Sequence, residues 1–515
     1  MNRTSRALRS TLVVSSFGYA AQGLSLVAIP LFLGTLHTEG YGLMVTVMTF
    51  MGYLNLADPG LSWGAMILIA QAHGRGSRNE IAHIIRHSAA LAAGSCLTVA
   101  FVVAIILSAA AAGWRLPMFA HHPEADCLIL IAGVQLGLNL LLSPVYNLFL
   151  GLQEGYWTGF YQGLGRLLGL AGGAAAAWLT RSVETVMLVQ LVITVLCGVA
   201  AAFHAWRRHP WAFVPGSWID RTQYGAQLRI GAKNFLLQIG RTLGGNTAAT
   251  LGISSILGPA AVPFYTIPTT LLSFFFTPII SWNANMQSAY GEAWTSGDKD
   301  WVRGAFRRSL ERALVLGGLG VALFLVLGDT FIRLWTHNRL WLSPAMAASV
   351  SGMVVMGALI SAGQHLLTGL NRHRNAAMAE FFNGVLSLSL VVLAIRWFGL
   401  GAAGAGVGVI CAACATSGWI LRREIKAQLG RSCFPAYSFI LRLGVAVAVG
   451  ATAAMMIART AGHGNMLVSG LHLIFAGATG MAGYLVAAFG LKLVATGEAV
   501  ALGRQLRQRL LPSAI

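Results

Sequence analysis

Apolar runs separated by short polar breaks set the character of this chain. Fourteen of them fall at about 11–36, 41–70, 88–113, 127–150, 158–179, 185–205, 230–256, 261–290, 313–335, 345–370, 377–395, 400–421, 438–458 and 467–491. As helices, such runs cross a hydrocarbon core of about 30 Å. The pattern predicts an all-α polytopic membrane protein with about fourteen transmembrane helices, the count lying between 12 and 14. The first run, Thr11–Leu36, is too long for a secretory h-region of roughly 7–15 residues, so it reads as an uncleaved first helix.

The polar breaks carry charge unevenly. With the N-terminus inside, 25 of the 35 Lys and Arg fall in inside segments, six fall outside and four lie at membrane depth. That bias predicts cytoplasmic N- and C-termini. It also checks the span count, because a missed helix would invert every later loop. The longest hydrophilic stretch, 207–229, interleaves Trp211, Phe213 and Trp218 with charges, which suits a linker lying along the cytoplasmic interface.

Composition sharpens this picture. Only 10% of residues are charged against 56% hydrophobic, with a mean hydropathy of +0.69. A soluble chain would carry roughly 25% charged residues. The net charge of +19 lies in alternate loops and not in a soluble basic domain, so no nucleic-acid partner is expected. Cys411-x-x-Cys414 sits in Gly/Ala-rich sequence with no second pair, which reads as small packing residues and not as a zinc or redox site. No GxxxxGK[ST] loop and no HExxH occurs, so neither ATP hydrolysis nor a zinc-dependent activity is expected, and no cofactor is implied.

A short internal repeat supports two halves. Leu33-Gly34 with Tyr41 recurs as Leu257-Gly258 with Tyr265 at an offset of 224, which also aligns Gln22 with Asn246. The expected organisation is two pseudo-symmetric six-helix lobes, 1–206 and 230–425, joined by the 207–229 linker. Two extra helices over 438–492 and a basic tail over 493–515 follow. Transporters commonly bind substrate between such halves.

Ionisable groups at membrane depth are costly and therefore mark candidate sites. Asn234, Gln238 and Arg241 recur at i, i+4 and i+7, one polar stripe on predicted span seven, with Lys233 beside it. Facing a water-filled cavity, that stripe attracts an anion; the alternative is that Lys233 snorkels and Arg241 pairs locally. Arg166 adjoins a ridge of Gly165, Gly169 and Gly173 in span five, a packing face whose neighbour need not point the same way. Arg442 reads as a snorkelling anchor. Asp58 precedes Pro59, which breaks or kinks span two. Asp58 is a candidate for a coupling cation or a charge pair, or else caps the segment that restarts after Pro59. Glu380, at the start of span eleven, is the other candidate acidic group. Asn283, Asn285, Gln287 and Tyr290 close span eight on the inside, either to hydrogen-bond sugar or as an ordinary interfacial helix end.

One resemblance is carried by the N-terminal third. Pro30, Leu33-Gly34, Tyr41-Gly42-Leu43 and Asn55-Leu56-Ala57-Asp58-Pro59-Gly60-Leu61, with the turn Gly151-Leu152-Gln153-Glu154-Gly155, resemble the oligosaccharide flippases. These belong to the multidrug/oligosaccharidyl-lipid/polysaccharide exporter superfamily. Asp58-Pro59-Gly60-Leu61 fits that family's Asp-x-Gly-Leu pattern. The resemblance implies a non-enzymatic transporter that moves a polyprenyl-(pyro)phosphate-linked oligosaccharide to the outer leaflet by alternating access. It further implies a bacterial cytoplasmic (inner) membrane as location, and a polysaccharide polymerase and assembly proteins as partners. The cavity would be lined by Arg241, Arg166, Lys233, Asn234, Gln238, Gln22 and Asn246. Two other readings stay open. A drug or organic-cation antiporter of the multidrug and toxic compound extrusion type would want carboxylates in its cavity, whereas the deep charges here are mainly positive. A membrane-embedded polysaccharide polymerase would need catalytic groups on a sizeable outside loop, and the outside loops are short.

Overall fold

The chain is helical throughout the described residues of a computed structural model, which are 3–58, 60–214, 225, 235–459 and 466–493. In chain order the helices are α1 (Arg3–Leu54), α2 (Leu61–Gly74), α3 (Arg78–Ala111), α4 (Ala125–Gly151), α5 (Gly155–Thr180) and α6 (Val183–Arg208). Residues 235–243 are helical and lead into α7 (Gly245–Leu257), α8 (Pro263–Thr295), α9 (Lys299–Trp335), α10 (Pro344–Gly369) and α11 (His373–Arg396). The remainder comprises α12 (Gly401–Ala413), α13 (Trp419–Leu429), α14 (Tyr437–Arg459) and α15 (Met466–Gly490).

Eleven helical stretches among the described residues are long and apolar enough to cross a membrane. The predicted spans outside that set have visible reasons. Span two is interrupted: α1 ends in a 3-10 turn at Asn55–Ala57, and Gly60, in the left-handed region at φ 76°, precedes α2. Span five is α5, rich in glycine and carrying Arg166. Span seven is split at Gly244–Gly245, where Gly245 takes φ 58°. Spans one and two join without a loop, and the only non-helical backbone between them is His37, at φ 61° and ψ 176°. Gly258, at φ 87° and ψ 162°, makes a second joint, before α8.

The chain divides into two compact units. The first comprises Met1–Pro263 with Glu380–Ala412, the second Phe264–Ala379 with Ala413–Ile515. Within the first unit, α5 packs on α1 and α6 through glycines. A Cβ at Gly163 would strike the Phe17 ring, and one at Gly172 would strike Ile193. In place of hydrophobic driving force between helices, close backbone approach maximises dispersion. The first stretch of the expected linker packs inward: Ala212 is buried, and Trp211 and Phe213 pack against the buried cluster that includes Ile69, Ile81 and Leu148. Arg86 donates to the Val214 carbonyl at 2.6 Å.

Within the second unit, Tyr290, Phe306, Leu366 and Leu421 form one buried cluster, and α14 and α15 pack on α9 around Tyr484, whose hydroxyl donates to the Val315 carbonyl at 2.6 Å. Two sequence readings are corrected here. Tyr290 and Asn283 are buried, and Tyr290 donates to Ser309 at 3.2 Å, so these two pack inside the unit and do not end the helix, whereas Asn285 is exposed and Gln287 half-buried. Cys411 and Cys414 are both exposed, so they face outward and do not pack.

Candidate functional site

The polar groups of the first unit converge on two interruptions in its helices. One is the Asn55–Gly60 break between α1 and α2. The other is the Gly244–Gly245 break ahead of α7. Breaks of this kind are tolerated at membrane depth where the freed backbone is buried in protein or lines a cavity.

Gly244, one of the two glycines that split span seven, also takes part in a close helix crossing. The helical segment 235–243 crosses α11 at Gly240 and Gly244, which meet Glu380 and Gly384. A Cβ on Gly240 would collide with the Glu380 carbonyl, and one on Gly384 would meet the Gly240 carbonyl. Arg241 follows directly on this crossing and is exposed, as is Asn246 on the far side of the break. Glu380 is half-buried and lies two turns inside α11, which starts at His373, not at the start of the helix as the sequence suggests. The crossing therefore sets the two ionisable residues at one level of the fold. Gln238, on the same segment, donates from Nε2 to the Asn55 carbonyl at 3.3 Å. The stripe on span seven is thereby tied to the break that carries Asp58.

Asp58 itself accepts from the Ser62 backbone N–H at 3.3 Å, although the residue at the N-cap of α2 is Gly60. Asp58 also borders a small polar cavity shared with Ser62, Ser88, Ser95, Ser143 and Asn147. Sequence reading missed the last five. Their signal was present as helical spacing of polar residues inside apolar runs: Ser88 with Ser95 on α3, and Ser143 with Asn147 on α4.

The remaining candidates lie elsewhere. Arg166 is exposed, whereas Gly165, Gly169 and Gly173 are buried, Gly165 against Cys197 and Gly173 against Gln190. Arg166 thus stands off the packed ridge. Gln22 is half-buried on α1. Lys233, Asn234 and most of the 207–229 linker and 493–515 tail lie outside the described residues.

A further cluster gives the Gly151–Gly155 turn its purpose. Glu154, with 11% of its side chain exposed, accepts from Arg208 Nε and Nη2 at 3.0 Å each and lies 3.2 Å from His209 Nε2. Burial pushes the Glu154 carboxyl up, but hydrogen bonds from His209 and Arg208 and the Arg208 charge outweigh it and hold it down at about 2. The turn that starts α5 is clamped to the end of α6.

Solved transporters share this architecture. The lipid II flippase MurJ, inward closed conformation, superposes with a TM-score of 0.68 at 12% identity over 93% of this chain and 98% of its own. A multidrug resistance MATE family transporter of the MOP superfamily matches in its inward-facing conformation with a TM-score of 0.60 at 18% identity, over 83% and 99%. Its outward-facing conformation matches at 0.57 and 15% identity, over 83% and 97%. At these identities the likeness is one of fold: the protein is a multi-pass membrane protein that shares the fold of these transporters. Residues 7–282 match the family described as polysaccharide biosynthesis protein, and the chain belongs to that family. No curated protein shows a significant match.

Proposed function

We propose that this protein flips a polyprenyl-(pyro)phosphate-linked oligosaccharide from the cytoplasmic to the outer leaflet of the bacterial cytoplasmic membrane. The observation that carries the reading is Arg241: a guanidinium exposed beside a broken helix, on the polar stripe it shares with Gln238. A cation placed there stabilises a phosphate head group during passage, where hydrogen bonds between charged groups are strong. The polyprenyl tail stays in lipid while the charged head crosses. Family membership and the fold shared with a lipid II flippase support the substrate class. The skewed Lys and Arg support cytoplasmic termini, and the polysaccharide family supports a polymerase and assembly proteins as partners.

The test is transport in proteoliposomes loaded with polyprenyl-pyrophosphate oligosaccharide, with an impermeant glycosidase reporting saccharide that changes leaflet. Arg241→Gln is expected to slow flipping roughly tenfold to a hundredfold, as for one lost charge-assisted hydrogen bond. Protein-dependent flipping that the substitution leaves unchanged would keep the function and remove Arg241 from the path. Absence of flipping alongside ion-coupled efflux of organic cations would make the protein an antiporter of the MATE type.

A further inference from the structure

We infer that α13 and the turn after it form a binding surface for the head group of an anionic phospholipid in the adjoining leaflet. The surface belongs to the second unit. Helix length sets its depth. α12 and α13 run on through a π-helical segment, Cys414–Gly418, as one stretch of 29 residues, Gly401–Leu429. About 20 residues suffice to cross the hydrocarbon core, so α13 stands beyond it among the head groups. α9 has a similar excess: it is 37 residues long, and its charged first turns, from Lys299 to Arg312, precede its apolar run.

These two projecting ends pack together. Val302, Phe306 and Leu310 of α9 share a buried cluster with Leu421, Ile425 and Leu429 of α13. Arg303 Nε donates to the Leu429 carbonyl at 2.8 Å, so α13 is fixed by its apolar face and by its end. Its other face carries Trp419, Arg422, Arg423 and Lys426 at i, i+3, i+4 and i+7, all exposed. Trp419, 65% exposed, lies nearest the hydrocarbon boundary, where indole rings settle. The three cations follow one to two turns further out, and Arg431 on the next turn is exposed as well.

The protein itself does not neutralise this charge. Asp300 pairs with Arg303, Glu311 with Arg307 at 2.8 Å, and Glu424 accepts from Gln428 Nε2 at 3.2 Å. Among the described residues no carboxylate pairs with Arg422, Arg423, Lys426 or Arg431. Arg422 is moreover held over the Phe434 ring, 6.0 Å from its centroid.

The chemistry of the partner follows. It brings net negative charge at head-group depth and an apolar body beneath. The start of α14, which leaves the same turn and re-enters the core, meets the second part: Tyr437, Ile440 and Leu441 are 75%, 50% and 55% exposed. Phosphatidylglycerol has both parts. Phosphatidylcholine brings the same phosphodiester but cancels its charge with choline, so it gains less from clustered Lys and Arg beside a membrane span.

The test is native mass spectrometry of the purified full-length protein in detergent, titrated with phosphatidylglycerol or phosphatidylcholine. Transport does not enter the measurement, so its failure is separate from failure of the flippase reading. The wild type is expected to bind the first phosphatidylglycerol about tenfold more tightly than phosphatidylcholine. Arg422→Gln, Arg423→Gln and Lys426→Gln together are expected to weaken that binding about a hundredfold. Arg372→Gln with Arg374→Gln, exposed cations where α10 turns into α11, should leave it unchanged. If the triple variant is not recovered folded, Arg423→Gln decides, with an expected loss of about fivefold. No preference for phosphatidylglycerol in the wild type, a preference that survives these substitutions, or an equal loss in the Arg372 and Arg374 variant would overturn the surface. So would loss of polyprenyl pyrophosphate binding in the triple variant, which would assign these cations to the transported lipid.

Discussion

Gly240→Leu is expected to abolish recovery of folded protein. Where 235–243 crosses α11, even the single carbon of alanine would collide with the Glu380 carbonyl, and Gly384 on the opposite helix leaves no room either, because its own Cβ would meet the Gly240 carbonyl. Both obstacles are backbone, so no rotamer change relieves them. Gly240→Ala should cost about 1–3 kcal/mol, the usual range for overpacking. Leucine adds three further carbons at the same point and forces the helices apart. Separation there would also displace Gln238 from the Asn55 carbonyl and Arg241 from the level of Glu380. The measurement is size-exclusion chromatography of the detergent-solubilised protein with thermal unfolding of whatever remains. A monodisperse Gly240→Leu peak with wild-type melting would mean that the helices do not cross at this glycine.

Removing the Glu154 clamp is the second large effect. Glu154→Ala leaves the Arg208 guanidinium and His209 facing a vacated pocket at the junction of α5 and α6. Breaking a fully buried pair costs about 3–5 kcal/mol. Here Arg208 is 44% exposed and recovers some hydration, so a loss of roughly 2 kcal/mol is expected. The pH dependence has a definite sign. The folded carboxyl is held at about 2, below its ordinary value of 4.5, so the unfolded chain takes up the proton first as pH falls. The clamp's contribution is complete above about 4.5 and is lost as pH drops towards about 2. Thermal unfolding of wild type and Glu154→Ala across acid pH should therefore show two curves that converge at the acid end. A gap that is as wide near pH 2 as it is above pH 5 would mean that Glu154 acts by packing and not by charge.

The membrane class and the approximate spans were legible from residue order, because hydrophobic length and turn chemistry are local properties. The same holds for the Asp58-Pro59-Gly60 break, where proline removes a helix donor and glycine accepts the left-handed backbone that follows. Gly244–Gly245 could have been read likewise as a break in span seven. Its partnership with Gly384, 140 residues later, could not, since which glycine faces which backbone depends on the rotation of each helix about its axis.

What the sequence determined by itself was which segments leave water, where their helices cannot continue, and which ionisable groups travel with them. Burial of apolar length and the stereochemistry of proline and glycine act within a few residues and need no partner. Only the tertiary structure decided which polar groups meet. It gathered Ser62, Ser88, Ser95, Ser143 and Asn147 beside Asp58, clamped Glu154 to Arg208 and His209, and set Arg241 at the level of Glu380. Hydrogen bonds, coordination and steric exclusion reach only a few ångströms, so they exist only once helices distant in the chain have packed.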